Sequence, residues 1–189
     1  ILCVQGAFAE HARALGLLGA RTFELRRRKD LEAPLDGIVL PGGESTVMGK
    51  LINELDMAGT LREYIQSGMP VFGTCAGMIL LAKRISGGET AKLATMDITV
   101  RRNAYGRQLA SFTASARFGE TEGVPMVFIR APYIESASDG VEVLAAVDGK
   151  IVAARQRNQL AVSFHPELTE STVVHNYFLS MVSAYKARR

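Results

Sequence analysis

Short runs of Val, Ile and Leu alternate with longer segments of helical period through the first half of the chain, and no other feature restricts the fold as strongly. Strands that follow one another through helices are joined by crossovers, so they build a largely parallel sheet covered on both faces. Residues 1–4, 22–25, 37–40 and 70–73 read as such strands, with helices expected over 10–18, 46–54, 60–67 and 78–85. The second half reads differently. Strand-like pieces near 96–101, 109–116, 126–130, 141–147, 150–155 and 160–164 are spaced closely enough to pair as hairpins. A last helix over 171–187 carries Val174, Phe178, Met181 and Val182 on one face.

At 189 residues the chain fits one domain, expected to span 1–189, with a core that needs no staples. Apolar residues make up 48% and charged residues 22%, which is globular composition. The formal charge of +3 is too small an excess to imply nucleic acid, and the dense run Arg26 to Lys29 reads as a solvated loop. No apolar stretch reaches the length of a membrane span, and the opening apolar run is too short for a signal peptide. The chain opens on Ile1 without Met, so a residue or two is expected to precede it. Two cysteines, Cys3 and Cys75, give no disulfide framework, and a working thiol points to a cytoplasmic setting.

The segment Gly73-Thr74-Cys75-Ala76-Gly77 has the glycine-flanked form of a strand-turn-helix elbow, with cysteine as the nucleophile. Small neighbours permit the sharp turn, and a position at a helix start favours thiolate over thiol. The chain holds three histidines. His165 ends an apolar strand and precedes Pro166 and Glu167; the proline keeps His165 extended, so His165 and Glu167 can point to one side. Cys75, His165 and Glu167 are therefore expected to act as nucleophile, acid/base and orienting carboxylate. His11, early in the first helix beside Glu10, is expected at a surface or interface, and His175 at the surface of the last helix. Cys3 reads as a small buried residue.

The loop Pro41-Gly42-Gly43-Glu44-Ser45-Thr46 follows a strand, and its glycines permit close backbone approach to a ligand. It is not a Walker A loop: the spacing to Gly49-Lys50 is one residue too long, and Leu51 stands where Ser or Thr is required. The N–H groups of Gly43 and Ala76 are instead expected to form an oxyanion hole. No metal site and no cofactor are expected, since the sequence holds neither a Cys-x-x-Cys nor a His-Glu-x-x-His pattern.

Several strings together resemble one family. They are Gln5-Gly6-Ala7 with Glu10-His11, residues 41–46, the cysteine elbow, Arg102-Asn103-Ala104-Tyr105-Gly106-Arg107-Gln108, Phe128-Ile129-Arg130-Ala131-Pro132 and Phe164-His165-Pro166-Glu167-Leu168. With them the chain is similar to the glutaminase subunits of pyridoxal 5′-phosphate synthase, which are class I glutamine amidotransferases. The resemblance implies a three-layer α/β/α domain, flavodoxin-like, with a mixed sheet. It implies hydrolysis of L-glutamine to glutamate and ammonia, in a site that includes Gly43, Glu44, Ser45, Arg102, Ile129 and Arg130. It also implies a partner, the (β/α)₈-barrel synthase subunit that consumes the ammonia in vitamin B6 biosynthesis, with Gln5 placed to sense its docking. The rival readings are the glutaminase of another pathway, a cysteine peptidase or deglycase-like protein of similar fold, and a regulatory subunit that has lost activity.

Overall fold

The computed structural model describes residues 1–102 and 111–188. Most of the string 102–108, and the first two residues of the strand expected over 109–116, lie outside them. The helices are α1 (Phe8–Leu17), α2 (Ser45–Glu54), α3 (Ala58–Gln66), α4 (Ala76–Leu81) and α5 (Val173–Lys186). The strands are β1 (Ile38–Leu40), β2 (Val71–Thr74), β3 (Ala82–Ile85), β4 (Met96–Arg101), β5 (Ser111–Phe118), β6 (Thr121–Ile129), β7 (Tyr133–Ala137), β8 (Glu142–Val147), β9 (Lys150–Gln156) and β10 (Gln159–Val162).

The main sheet runs β1-β2-β10-β9-β7-β4-β3, with β8 on β9. β1, β2 and β10 are mutually parallel, the pairs β10–β9, β9–β7 and β7–β4 are antiparallel, and β3 closes the sheet parallel to β4. Period-two alternation sends each strand's side chains into two cores on opposite faces. Ile38, Leu40, Val71 and Ala161 meet Met48 and Ile52 of α2, Leu61 and Ile65 of α3, and Met78 and Leu80 of α4. Val39, Phe72, Leu160 and Val162 meet Leu15 of α1 and Val174, Phe178 and Met181 of α5. Each of these large side chains stabilises the fold by about 1.5–3 kcal/mol on burial, so both helical layers are held by the sheet they cover. β5 and β6 form a separate hairpin packed on the second core through Val124, Met126 and Phe128. The α/β/α layering and the mixed sheet agree with expectation.

Four local expectations change. The first two strands contract to a single parallel bridge between Leu2 and Leu25, because the chain turns from residue 4 into a loop packed on Gly42. The helix expected over 78–85 stops at Leu81, and β3 takes over to pair in parallel with β4. A wholly apolar Met-Ile-Leu-Leu-Ala run carries no period that separates the two. β7 was not foreseen, since Ile134 is its one fully buried residue and the alternation is too weak to see. β6 begins at Thr121 and includes Pro125, which a two-stranded ribbon tolerates because each strand has a free edge. The run Arg26 to Lys29 is exposed, as expected, and Arg26, Arg27 and Arg28 pair with Glu24, Asp30 and Asp56.

Candidate active site

The elbow is built by contacts that only glycine admits. Cys75 has φ 47° and ψ −100°, a conformation rare for a residue with a side chain, and its N–H donates to the Val162 carbonyl of β10 at 2.8 Å. A Cβ on Gly77 would lie 2.0 Å from the Leu40 carbonyl oxygen, and one on Gly73 would lie 2.7 Å from the Gly77 backbone. The flanking glycines thus let α4 turn back against β1 and β2, and the strain at Cys75 is held by the sheet around it. Ala76 is the first residue of α4, so its N–H has no partner within the helix.

His165 arrives at the same place from β10. Its N–H donates to Val127 of β6 at 2.8 Å, and its Nδ1 lies 2.8 Å from Glu167 Oε1 across the short turn Pro166–Leu168. The imidazole rests against Gly42, where a Cβ would come 2.4 Å from its Cε1. Cys75 acts on the same ring electrostatically. Burial opposes charge on this ring, but Cys75 and Glu167 together outweigh burial and raise its pKa to about 10. The three residues read from the sequence as a triad are therefore joined in space, and all three are buried.

The loop after β1 lies beside them. Gly6 packs on Gly42 so closely that a Cβ would meet the Gly42 carbonyl oxygen at 1.8 Å. Gln5 Oε1 accepts from the Glu44 N–H at 2.8 Å and sits where a Gly43 side chain would point. Glu44 caps α2, accepting from the Thr46 and Val47 amides at 3.0 and 2.7 Å. Burial raises its carboxyl pKa, but those amides and Arg102 outweigh the effect and lower it. Ser45 opens α2 and is buried. Arg102 reaches Glu44 at 3.3 Å and also binds Glu89 and Thr46. Ile129 and Arg130 follow Val127 at the end of β6; both are exposed, and Arg130 has φ 44°.

Two expectations fail. His11 and His175 are not at the surface: both are fully buried, 3.1 Å apart between Nδ1 and Nε2, against the ring of Phe72. His11 stands four residues before Leu15 and His175 three before Phe178, so each shares the inward face of its helix. That spacing was the available signal. Among the described residues, no group of three or more His, Cys, Asp or Glu side chains could hold a metal ion, and no helix is long and apolar enough to cross a membrane.

A mixed sheet with helices on both faces, carrying a cysteine elbow at the carboxyl end of a central strand, is the architecture of the class I glutamine amidotransferases. A solved structure described as a glutamine amidotransferase superposes with a TM-score of 0.91 at 43% identity, covering 96% of this chain and 97% of its own. The pyridoxal 5′-phosphate synthase subunit PdxT of Methanocorpusculum labreanum is 57% identical over 97% of this chain and 96% of its own length. The protein of the same name from Desulfitobacterium hafniense is 51% identical over 99% and 94%. The sequence profile of the SNO glutamine amidotransferase family matches residues 1–184, and the chain belongs to that family.

Proposed function

We propose that this chain is the glutaminase subunit of a pyridoxal 5′-phosphate synthase, and that it hydrolyses L-glutamine through Cys75, His165 and Glu167. The observation that carries the reading is one imidazole bonded to a buried carboxylate and coupled electrostatically to a strained elbow cysteine. The Cys75 thiolate attacks the side-chain carboxamide carbon, and the N–H groups of Gly43 and Ala76 receive the oxyanion. His165, charged beside Cys75, gives its proton to the departing ammonia. Water deprotonated by His165 then cleaves the thioester, releasing glutamate and the free thiol.

Gly43, Glu44, Ser45, Arg102, Ile129 and Arg130 form the glutamine site in this reading. Its support is that Glu44 and Arg102 already meet beside the elbow, offering opposite charges to the α-ammonium and α-carboxylate. Ammonia released into neutral water becomes ammonium, which is no nucleophile, so it must pass directly to a barrel synthase subunit. Gln5 senses that docking: it holds the Glu44 amide, so displacing its side chain frees the loop that contains Gly43. The reduced thiol fits a cytoplasmic enzyme.

The test is glutamate release from glutamine by the full chain, alone and with the synthase subunit, together with labelling by an alkylating glutamine analogue. The reading expects label on Cys75, stimulation by the synthase, and loss of release by about a thousandfold or more in Cys75→Ala. Release that survives in Cys75→Ala overturns it.

A further inference from the structure

Behind Glu167 the interior continues in polar groups on which the proposed chemistry does not call. His11 of α1 and His175 of α5, 164 residues apart in sequence, join Nδ1 to Nε2 at 3.1 Å. The other nitrogen of His11, Nε2, lies 3.1 Å from Thr74 Oγ1 and 3.4 Å from Glu167 Oε2. Glu167 Oε2 and His175 Nδ1 are both buried, and neither makes a hydrogen bond of ordinary geometry. His11 Nε2 is thus the polar group that faces the outer oxygen of the carboxylate.

Burial favours the neutral form of both rings. It holds His11 well below the usual imidazole range, with His175 and His165 adding to the effect, and it brings His175 to about 4. A neutral imidazole donates from one nitrogen only, so the contacts select the tautomers. With its hydrogen on Nδ1, His11 would turn an Nε2 lone pair toward the Glu167 carboxylate. His175 would then have to accept at Nε2 and bury an Nδ1–H with no acceptor. With the hydrogens on the opposite nitrogens, His175 donates to His11, and His11 Nε2–H faces Thr74 Oγ1 and Glu167 Oε2. Only a lone pair is then left unpaired, at His175 Nδ1. Unpaired buried donors are tolerated less well than under-satisfied acceptors, so both considerations choose this arrangement.

We propose that His11 is a positioning residue for the triad: its Nε2–H, fixed by His175, faces the Glu167 carboxylate and keeps Oε1 on His165 Nδ1, so that the ring is held in its orientation toward Cys75. The inference rests on the triad read above. Thr74 immediately precedes Cys75 and is wholly buried, so the nitrogen that bonds the elbow at Thr74 also faces the carboxylate, 3.4 Å away. The result is one buried chain of contacts from α5 through α1 to the nucleophile.

Two measurements test it. Long-range proton–nitrogen NMR correlation on the wild-type chain is expected to show His11 as the Nε2–H tautomer; the Nδ1–H tautomer overturns the proposal without reference to turnover. His11→Gln can place an amide N–H near the lost Nε2–H, whereas the shorter amide of His11→Asn cannot reach Glu167. With the synthase subunit present, kcat for glutamine is expected to fall about tenfold or more in His11→Asn and to stay within about threefold of wild type in His11→Gln, with KM within about twofold in both. Equal loss in the two variants, loss in KM alone, or full activity in His11→Asn overturns the proposal. Calorimetric melting confirms that each variant is folded, and if one is not, the wild-type tautomer still decides. A wild-type chain that never releases glutamate sinks the parent reading, which the tautomer measurement leaves distinguishable from this one.

Discussion

The two halves of the main sheet handle their surroundings in opposite ways. In the parallel half, β1, β2 and β10 are buried along their whole length, and backbones approach so closely around their carboxyl ends that three glycines have no room for a methyl group. At the far edge of the other half, where β3 closes the sheet parallel to β4, Lys83 and Arg84 of β3 are exposed, alternate residues of β4 are at least partly so, and the strands carry surface ion pairs such as Lys83–Asp97 and Arg101–Glu135. Placement of the proposed nucleophile and its imidazole is therefore a matter of excluded volume in one half, while the other half supplies a tolerant flank. The proposed chemistry sits where the chain has least freedom to move.

The sharpest way to break this contrast is Gly77→Ala. Its Cβ would meet the Leu40 carbonyl oxygen, a backbone atom that cannot swing away, and a stability loss of about 3 kcal/mol or more is expected in urea unfolding. A loss below about 1 kcal/mol would show that the parallel half can give way after all. Gly42→Ala pushes on a side chain instead, the His165 ring, so the fold should survive while kcat for glutamine hydrolysis drops about tenfold to a hundredfold. Steady-state kinetics beside a melting curve separates the two effects.

Cys75→Ser probes charge rather than volume. His165 is held near 10 against burial by Cys75 and Glu167, so replacing the Cys75 sulfur must lower its pKa, and the imidazole should lose its proton at a lower pH than in the wild type. NMR titration of the ring reads this directly, and an unchanged value would detach His165 from Cys75. The smallest effect belongs to the other half of the sheet. Lys83→Ala removes a half-exposed pair with Asp97, so stability should change by no more than about 1 kcal/mol and glutamine turnover should not change. Lost turnover in that variant would erase the distinction between the halves.

What could be read from the sequence follows the range of the interactions involved. The elbow and the His-Pro-Glu string are local, and their meaning survives without knowledge of the fold. Pro166 restricts its neighbour and glycines flank Cys75, so Cys75, His165 and Glu167 were legible, as was the order of strands and helices in the parallel half. The buried pair of His11 and His175 was not, because each ring gains its meaning from a helix far away in the chain, and a histidine beside Glu10 looks like surface until α1 is turned inward. The junction of α4 and β3 was hidden for a different reason: consecutive apolar residues satisfy either period, and pairing with β4 makes the choice. Gln5 stood out in the sequence through resemblance alone, and its hydrogen bond to the Glu44 amide now gives it a physical function.

The hydrogen bond from the Cys75 amide to Val162 has a consequence for how this molecule breathes. That amide is tied between two central strands and sealed by helices on both faces, so solvent deuterium reaches it when the sheet itself opens. Its exchange rate should match that of the slowest core amides, far below those of the exposed loops. The peptide unit that carries the proposed nucleophile would then be among the last to open as the molecule comes apart.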